Sequence, residues 1–316
     1  MRASTDYILE YFEAEDVRFL PAVLGCRVDH WLARLAERWY GDGRGFARRE
    51  LLRYIDDGCT RPGHRALVKR LFKLAEAAED DEVMIRFMVA FDRFPRRSQV
   101  TRHVWRYDLR EYVERTHLLP DPEIPRTREE AEEAGVFTAR TRMYLCRRAF
   151  RYMRYMGWRD AERYRRCALE ALPLYRDAEL GEGLEVLDAW SLIHVTYYDA
   201  GLWRRWQGIG TGWGEVELEG LEPAPFLPGC WEGRVEELLG VLREARSGFV
   251  RRWVVALLER DEAEALASLP LLEVHGLVCG REPETQSFGV RLLKERGDLG
   301  GLGPQDWVAC FEVEEV

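Results

Sequence analysis

Apolar residues recur at helical spacing along most of this chain. Trp31, Leu32, Leu35, Ala36 and Trp39 fall at i, i+1, i+4, i+5 and i+8, one face of a helix. The stretch GDGRG at 41–45 ends it, because glycine readily takes the left-handed backbone that a helix C-terminus favours. Three more helices are predicted at 46–56, 63–79 and 81–94, with Pro62 tolerated beside a helix start. Ala66, Leu67, Leu71 or Phe72, and Leu74 stripe the second of these. Val83, Ile85, Phe87, Met88 and Phe91 make the third apolar enough to be central. Antiparallel helices that share a core give this pattern.

The period is lost over 95–136, which holds Pro95, Pro120, Pro122 and Pro125 and the acidic run EEAEE from Glu129. This part is read as irregular, save for one short helix opened by a Thr127/Glu130 capping box and closed at Gly135. Residues 118–136 then form a Pro-rich, acidic connector between an N-terminal segment at 1–120 and a helical region at 137–316. Helices are predicted again at 138–156, 159–176 and 183–200. A loop at 204–233 follows, in which EVELE has the alternation of a short strand or hairpin.

Beyond that loop the chain repeats itself. FVRRWVVALLER at 249–260 and ETQSFGVRLLKE at 284–295 superpose at a shift of 35, pairing Trp253 with Phe288, Val255 with Val290, and Leu257 and Leu258 with Leu292 and Leu293. The same shift pairs Leu239 and Leu242 with Val274 and Leu277. DWVACFEVEEV at 306–316 reads as the start of a third unit. A helix-pair period of this size predicts an all-α protein, an α-solenoid in which each unit buries its face against its neighbours. Tetratricopeptide and ankyrin signatures are absent, which leaves HEAT-like pairs with irregular loops and at most one short hairpin.

FTARTRMYLCRRAFRYMRYMGWRDAERY from Phe137, LEVLDAWSLIHVTYYDA from Leu184, LEPAPFLPGCWEG from Leu221 and ETQSFGVRLLKE together resemble the HEAT-like helical region of large bacterial proteins that also carry WGR domains. The resemblance covers about residues 44–316. It implies an interaction scaffold and carries over no catalytic residue. WQGIGTGWG from Trp206 echoes the WGR motif, but Gln207 and Gly208 do not give its Trp-Gly-Arg order.

Composition sets limits on function. In 316 residues, 47% hydrophobic and 33% charged, there is enough apolar material for one extended or two compact cores. Seven scattered cysteines without a C-x-x-C pair predict a reducing compartment, no disulfide framework and no zinc ribbon. No leader pattern and no run of eighteen apolar residues is present, so a cytoplasmic protein without a membrane partner is expected. The net charge of −9 argues against coating nucleic acid through the whole-molecule field.

A local exception stands out. Thr138–Arg166 holds ten arginines against Asp160 and Glu162. On a helix at 138–156, Leu145, Ala149, Tyr152, Met153 and Met156 share one side. Arg140, Arg147, Arg148, Arg151 and Arg154, with Tyr144 and Tyr155, share the other. Such a face can follow a phosphate backbone while tyrosines stack on bases. The plainer reading is that EEAEE and DAELGEGLE at 177–185 neutralise it. A second basic cluster lies at 93–106.

Other candidates are weaker. Asp188 and His194 are six residues apart and do not face each other on one helix. Cys26 and His30 have the i, i+4 spacing of two metal ligands, with Cys59 and His64 nearby, yet no second pair of comparable spacing completes a site. Phosphate-loop, dinucleotide and hydrolase motifs are absent. No catalytic residue, cofactor or metal is therefore expected. Trp203, Trp206 and Trp213 in the glycine-rich loop are candidate partner contacts. The sequence supports a non-catalytic scaffold for another protein; the alternative is nucleic-acid binding, as in HEAT-like DNA-repair glycosylases, through the arginine/tyrosine face.

Overall fold

The computed structural model describes residues 6–93, 97–120, 124–181, 183–200 and 220–297, with 301, 303, 305 and 308. Among the described residues the chain is mostly helical with one two-stranded sheet. It divides into two compact units, Met1–Arg159 with Gly183–Leu192, and Asp160–Glu182 with Ile193–Val316. Residues 118–136 fall inside the first.

The first unit opens with α1 (Asp6–Glu13), α2 (Phe19–Gly25), α3 (Asp29–Tyr40), α4 (Gly45–Gly58), α5 (Arg65–Ala77) and α6 (Asp81–Asp92). Leu32, Leu35, Ala36 and Trp39 are buried as their spacing predicts, with Trp31 half-buried. α3 packs on α5 and α4 on α6. From Val83 to Asp92 every residue of α6 except Arg86 is buried, with Phe87 and Phe91 each about 5.5 Å from Phe72 between ring centres. Asp80 joins three helices: it accepts from Val83 N–H at the start of α6, from Tyr40 Oη at 3.0 Å and from Arg48 at 2.5 and 2.7 Å. Burial alone would raise the pKa of this carboxyl, but the donors, Arg48 foremost, hold it below the usual range.

Residues 95–136 depart from the expected irregular chain. β1 (Arg97–Arg106) and β2 (Glu111–Pro120) form an antiparallel hairpin, with Val104 opposite Val113 and Trp105 opposite Tyr112. No residue of either strand whose burial is described is buried. Both faces of the ribbon meet solvent, so neither selects apolar residues and the alternation that reveals a strand is missing. EVELE, the expected site of a strand, lies outside the described residues. α7 (Arg128–Ala134) follows with its predicted capping box, Thr127 Oγ1 accepting from Glu130 N–H at 3.2 Å. It ends at Gly135, φ +68°, whose carbonyl accepts from Gly63 N–H at 2.8 Å. Gly63, φ +84°, is itself so close to Arg27 that a Cβ would lie 2.8 Å from the Arg27 backbone.

α8 (Ala139–Arg159) packs on α6 and ends the first long run. The second unit continues with α9 (Ala161–Ala171), where a longer helix to 176 was expected. Pro173 lacks an N–H and turns the chain into a 3-10 turn at Leu172–Leu174. α10 (Asp177–Leu180) comes next. The expected helix at 183–200 is also interrupted, into a 3-10 stretch Gly183–Asp188 and α11 (Trp190–Tyr197). The new start has a remote cap: Asp92 accepts from Ser191 N–H at 2.9 Å and Leu192 N–H at 3.0 Å. Asp29 does the same for Ala66 N–H at 2.8 Å, and Asp177 for Gly248 N–H at 2.9 Å. Each satisfies a first-turn donor with an aspartate from another helix.

The chain closes with α12 (Val235–Glu244), α13 (Gly248–Asp261), α14 (Ala263–Ala267), α15 (Leu271–Val278) and α16 (Pro283–Lys294). α12 packs on α13, α15 on α16 and α13 on α16. Of the residues paired by the 35-residue shift, Trp253 and Phe288, Leu239 and Val274, Leu242 and Leu277, and Leu258 and Leu293 are buried in both members, whereas Val290 and Leu292 are only half-buried opposite buried Val255 and Leu257. Of residues 306–316 only Val308 is described.

Gly289 marks the closest approach of α15 and α16, since a Cβ there would lie 2.6 Å from Val278 N and 2.9 Å from Leu277 C. Helix propensity alone makes Gly289→Ala stabilising by about 1 kcal/mol. The contact is with backbone, so the helices must separate, and a net loss of about 1–3 kcal/mol is expected in urea unfolding. A more stable variant would mean that the two helices do not pack this closely.

Candidate interaction face

Thr138 starts α8 by accepting from Thr141 N–H at 3.1 Å, and Leu145, Cys146, Ala149, Phe150, Met153 and Met156 bury one side. Cys146 Sγ donates to the Phe91 carbonyl at 3.1 Å, and Tyr152 Oη to Asp81 at 2.6 Å. The helix contains seven arginines and no acidic residue.

These arginines do not share one environment. Arg142 is buried, its Nε donating to the Phe137 carbonyl at 3.0 Å. Arg148 is half-buried; it pairs with Glu76, Nε to Oε1 at 3.0 Å, and donates to Tyr144 Oη at 3.2 Å. Its hydrogen bonds to the Glu76 carboxylate raise its pKa further. Arg147 lies over the Trp190 ring at 4.8 Å, and Arg154 over Trp158 at 4.9 Å. Arg140 and Arg151 are exposed and have no ion-pair partner among the described residues.

Among the described residues, Arg148 takes its carboxylate from outside the two acidic runs. In EEAEE, Glu130 is used by the capping box and Glu132 pairs with Arg128. In 177–185, Asp177 caps α13. Glu76 on α5 supplies the carboxylate that meets the α8 face, because α5 and α8 both lie against α6.

What remains accessible is one continuous stripe. Arg140, Tyr144, Arg147, Arg151, Tyr155 and Trp158 are all exposed and follow each other at steps of four or three residues, over about 27 Å of helix. Tyr144, Tyr155 and Trp158 are each half or more exposed, and the last two meet edge to face at 5.5 Å. Trp158 was missed by the sequence reading, which stopped the helix at Met156. Its spacing of fourteen residues from Tyr144 puts it back on the same face.

No family profile matches the chain, and no curated protein or solved structure does. The residues themselves have to carry the functional reading.

The remaining candidates separate. Trp203, Trp206 and Trp213 lie outside the described residues. Asp188 is committed to Arg97, from which it accepts a backbone and a side-chain hydrogen bond, each at 2.9 Å. His194 is buried with its ring 5.8 Å from Tyr198. Cys26 is buried and His30 exposed. Among the described residues no group of three or more His, Cys, Asp or Glu is placed to hold a metal ion. No helix among them is long and apolar enough to cross a membrane.

His64 is fully buried, stacked on Tyr54 with Nδ1 2.9 Å from its hydroxyl. Burial lowers its pKa. The folded value therefore lies below the unfolded one, near 6.5. Stability tied to neutral His64 is present above that pH and lost as pH falls toward the folded value. The urea midpoint is expected to drop as the pH falls below about 6.5, and to drop less in His64→Gln. Equal acid sensitivity in both proteins would assign the loss to other groups.

Proposed function

We propose that this chain is a non-catalytic, HEAT-like α-solenoid scaffold that holds another protein on the exposed stripe of α8. The stacking of α3 on α5, α4 on α6 and α6 on α8, and of α13 on α16, supports the solenoid reading. Helices two or more places apart in sequence lie side by side, as successive helix pairs do in a stack. The observation that carries the function is the stripe itself, Arg140, Tyr144, Arg147, Arg151, Tyr155 and Trp158, exposed and without an acidic residue. Tyr, Trp and Arg are the residues enriched in interface centres and hot spots. The chemistry suits an acidic partner segment with apolar side chains. A place in the bacterial cytoplasm follows only from the sequence expectation and belongs to the same proposal.

A nucleic acid is the second reading, favoured by the interleaving of cations with stackable rings. Against it, Glu76 occupies Arg148, which shortens the cationic ladder. The two readings divide on anisotropy with single- and double-stranded DNA and RNA between about 50 and 200 mM salt. No steeply salt-dependent binding is expected. The partner complex should weaken roughly 30-fold or more in Tyr144→Ala/Tyr155→Ala/Trp158→Ala. Tight, salt-sensitive binding of an oligonucleotide that Arg140→Ala/Arg147→Ala/Arg151→Ala abolishes would establish the second reading instead.

A further inference from the structure

The β1–β2 hairpin has a fixed base and an uncovered arm. Arg97 holds the base on Asp188 through its N–H and Nε. From Thr101 to Glu114 no residue is buried, and Tyr107, Leu109 and Tyr112 are more than half exposed. Trp105 and Tyr112 touch edge to face at 5.1 Å, and both are exposed. A two-stranded ribbon alone is marginal in water, so apolar rings placed on it gain from being covered.

Charge narrows what covers it. Thr101–Glu114 carries Arg102, Arg106 and Arg110 against Asp108, Glu111 and Glu114. An arm with this balance offers a polyanion little. The strands differ: β1 has Arg97, Arg102, His103 and Arg106 and no acid, whereas β2 has Glu111, Glu114 and Arg115. The register also sets Arg102 directly opposite Arg115, a like-charge pair that costs stability.

We infer that the edge of β2 away from β1, which no other described strand pairs, joins β2 of a second copy of this chain, antiparallel about a two-fold axis at Val113. Opposed residues in an antiparallel pair must both turn their backbone groups toward the partner, so the axis has to pass through a residue position. Through Glu114 or Arg115 it would set like charges face to face. Through Val113 it sets Glu111 opposite Arg115 of the other copy, twice over, and brings a carboxylate to the register position where Arg102 faces Arg115. β1 has no acid to offer in any register with itself. Charged edge strands usually guard against pairing; here the charges match their own copy, as an isologous interface requires.

Sedimentation of the full chain over about 1–100 µM tests this. A concentration-dependent dimer is expected. Glu111→Arg should weaken it about tenfold or more, and Glu111→Arg/Arg115→Glu should restore it. Val113→Arg, which leaves Glu111 opposite Arg106 in the hairpin register, should also disrupt the dimer, with an unchanged circular dichroism spectrum showing that the helices remain. A monomer at every concentration overturns the inference, as does a dimer indifferent to Glu111→Arg and Val113→Arg. A charge swap that fails to restore the dimer removes the register and the inference with it. A monomer that instead takes up an oligonucleotide through Arg102 and Arg110 gives the arm a different occupant and equally overturns it.

Discussion

Trp253→Ala is expected to lower the unfolding free energy by about 3–5 kcal/mol, the largest effect of any single truncation considered for this protein. The side chain is completely buried and meets the equally buried Trp231 edge to face at 5.3 Å. Its Nε1 donates to the Thr196 carbonyl at 2.9 Å, in the last turn of α11, where carbonyls have no partner within the helix. Ala224 N–H donates to the same oxygen at 3.1 Å, and Phe226 N–H to the Val195 carbonyl. Truncation therefore opens a cavity and loosens the anchor of residues 224–226 together. Trp253→Phe keeps most of the volume and should lose about 1–2 kcal/mol, chiefly the hydrogen bond. Urea unfolding followed by far-UV circular dichroism reads both. A loss below about 1 kcal/mol for the alanine variant would show that the site collapses without penalty, and that the indole is not a keystone.

Asp92→Ala is the second large effect, at about 3 kcal/mol. The carboxylate is 1% exposed and meets Ser191 N–H with both oxygens, at 2.9 and 3.1 Å, Leu192 N–H at 3.0 Å and Ser191 Oγ at 3.1 Å. Buried negative charge is tolerated here because several donors converge on it at the positive end of a helix. Removing it strands first-turn amides in a dry interior. Asp92→Asn keeps one accepting oxygen but turns an amide toward other donors, so it should fall between the wild type and alanine. Hydrogen exchange at 190–193 reports the effect locally: the amides of Ser191 and Leu192 should lose protection before those of α6. Unchanged protection would mean that α11 starts without help from Asp92.

Local signals in the sequence were sufficient wherever one face of an element is buried and the other is not. Leu32, Leu35, Ala36 and Trp39 gave α3, and Thr127, Glu130 and Gly135 gave α7 with both ends. The α8 stripe was visible from its period, although the partner of Arg148 was not, because Glu76 is 72 residues away. The hairpin was hidden for the opposite reason: a ribbon wet on both faces has no apolar alternation to read. Asp92 falls inside the helix predicted at 81–94. Nothing near it in sequence hints that its partners lie 99 and 100 residues further on.

The aspartate caps have an evolutionary consequence. Proteins built of stacked units commonly gain or lose whole units, because each carries its own start and stop. Here Asp29, Asp92 and Asp177 close helix starts that are 37, 99 and 71 residues away. Excising a helix pair between donor and acceptor would leave one helix uncapped and its aspartate without those donors. Length in this lineage is therefore expected to change at the hairpin and loops, while the helical order between Asp29 and Gly248 is inherited as a block.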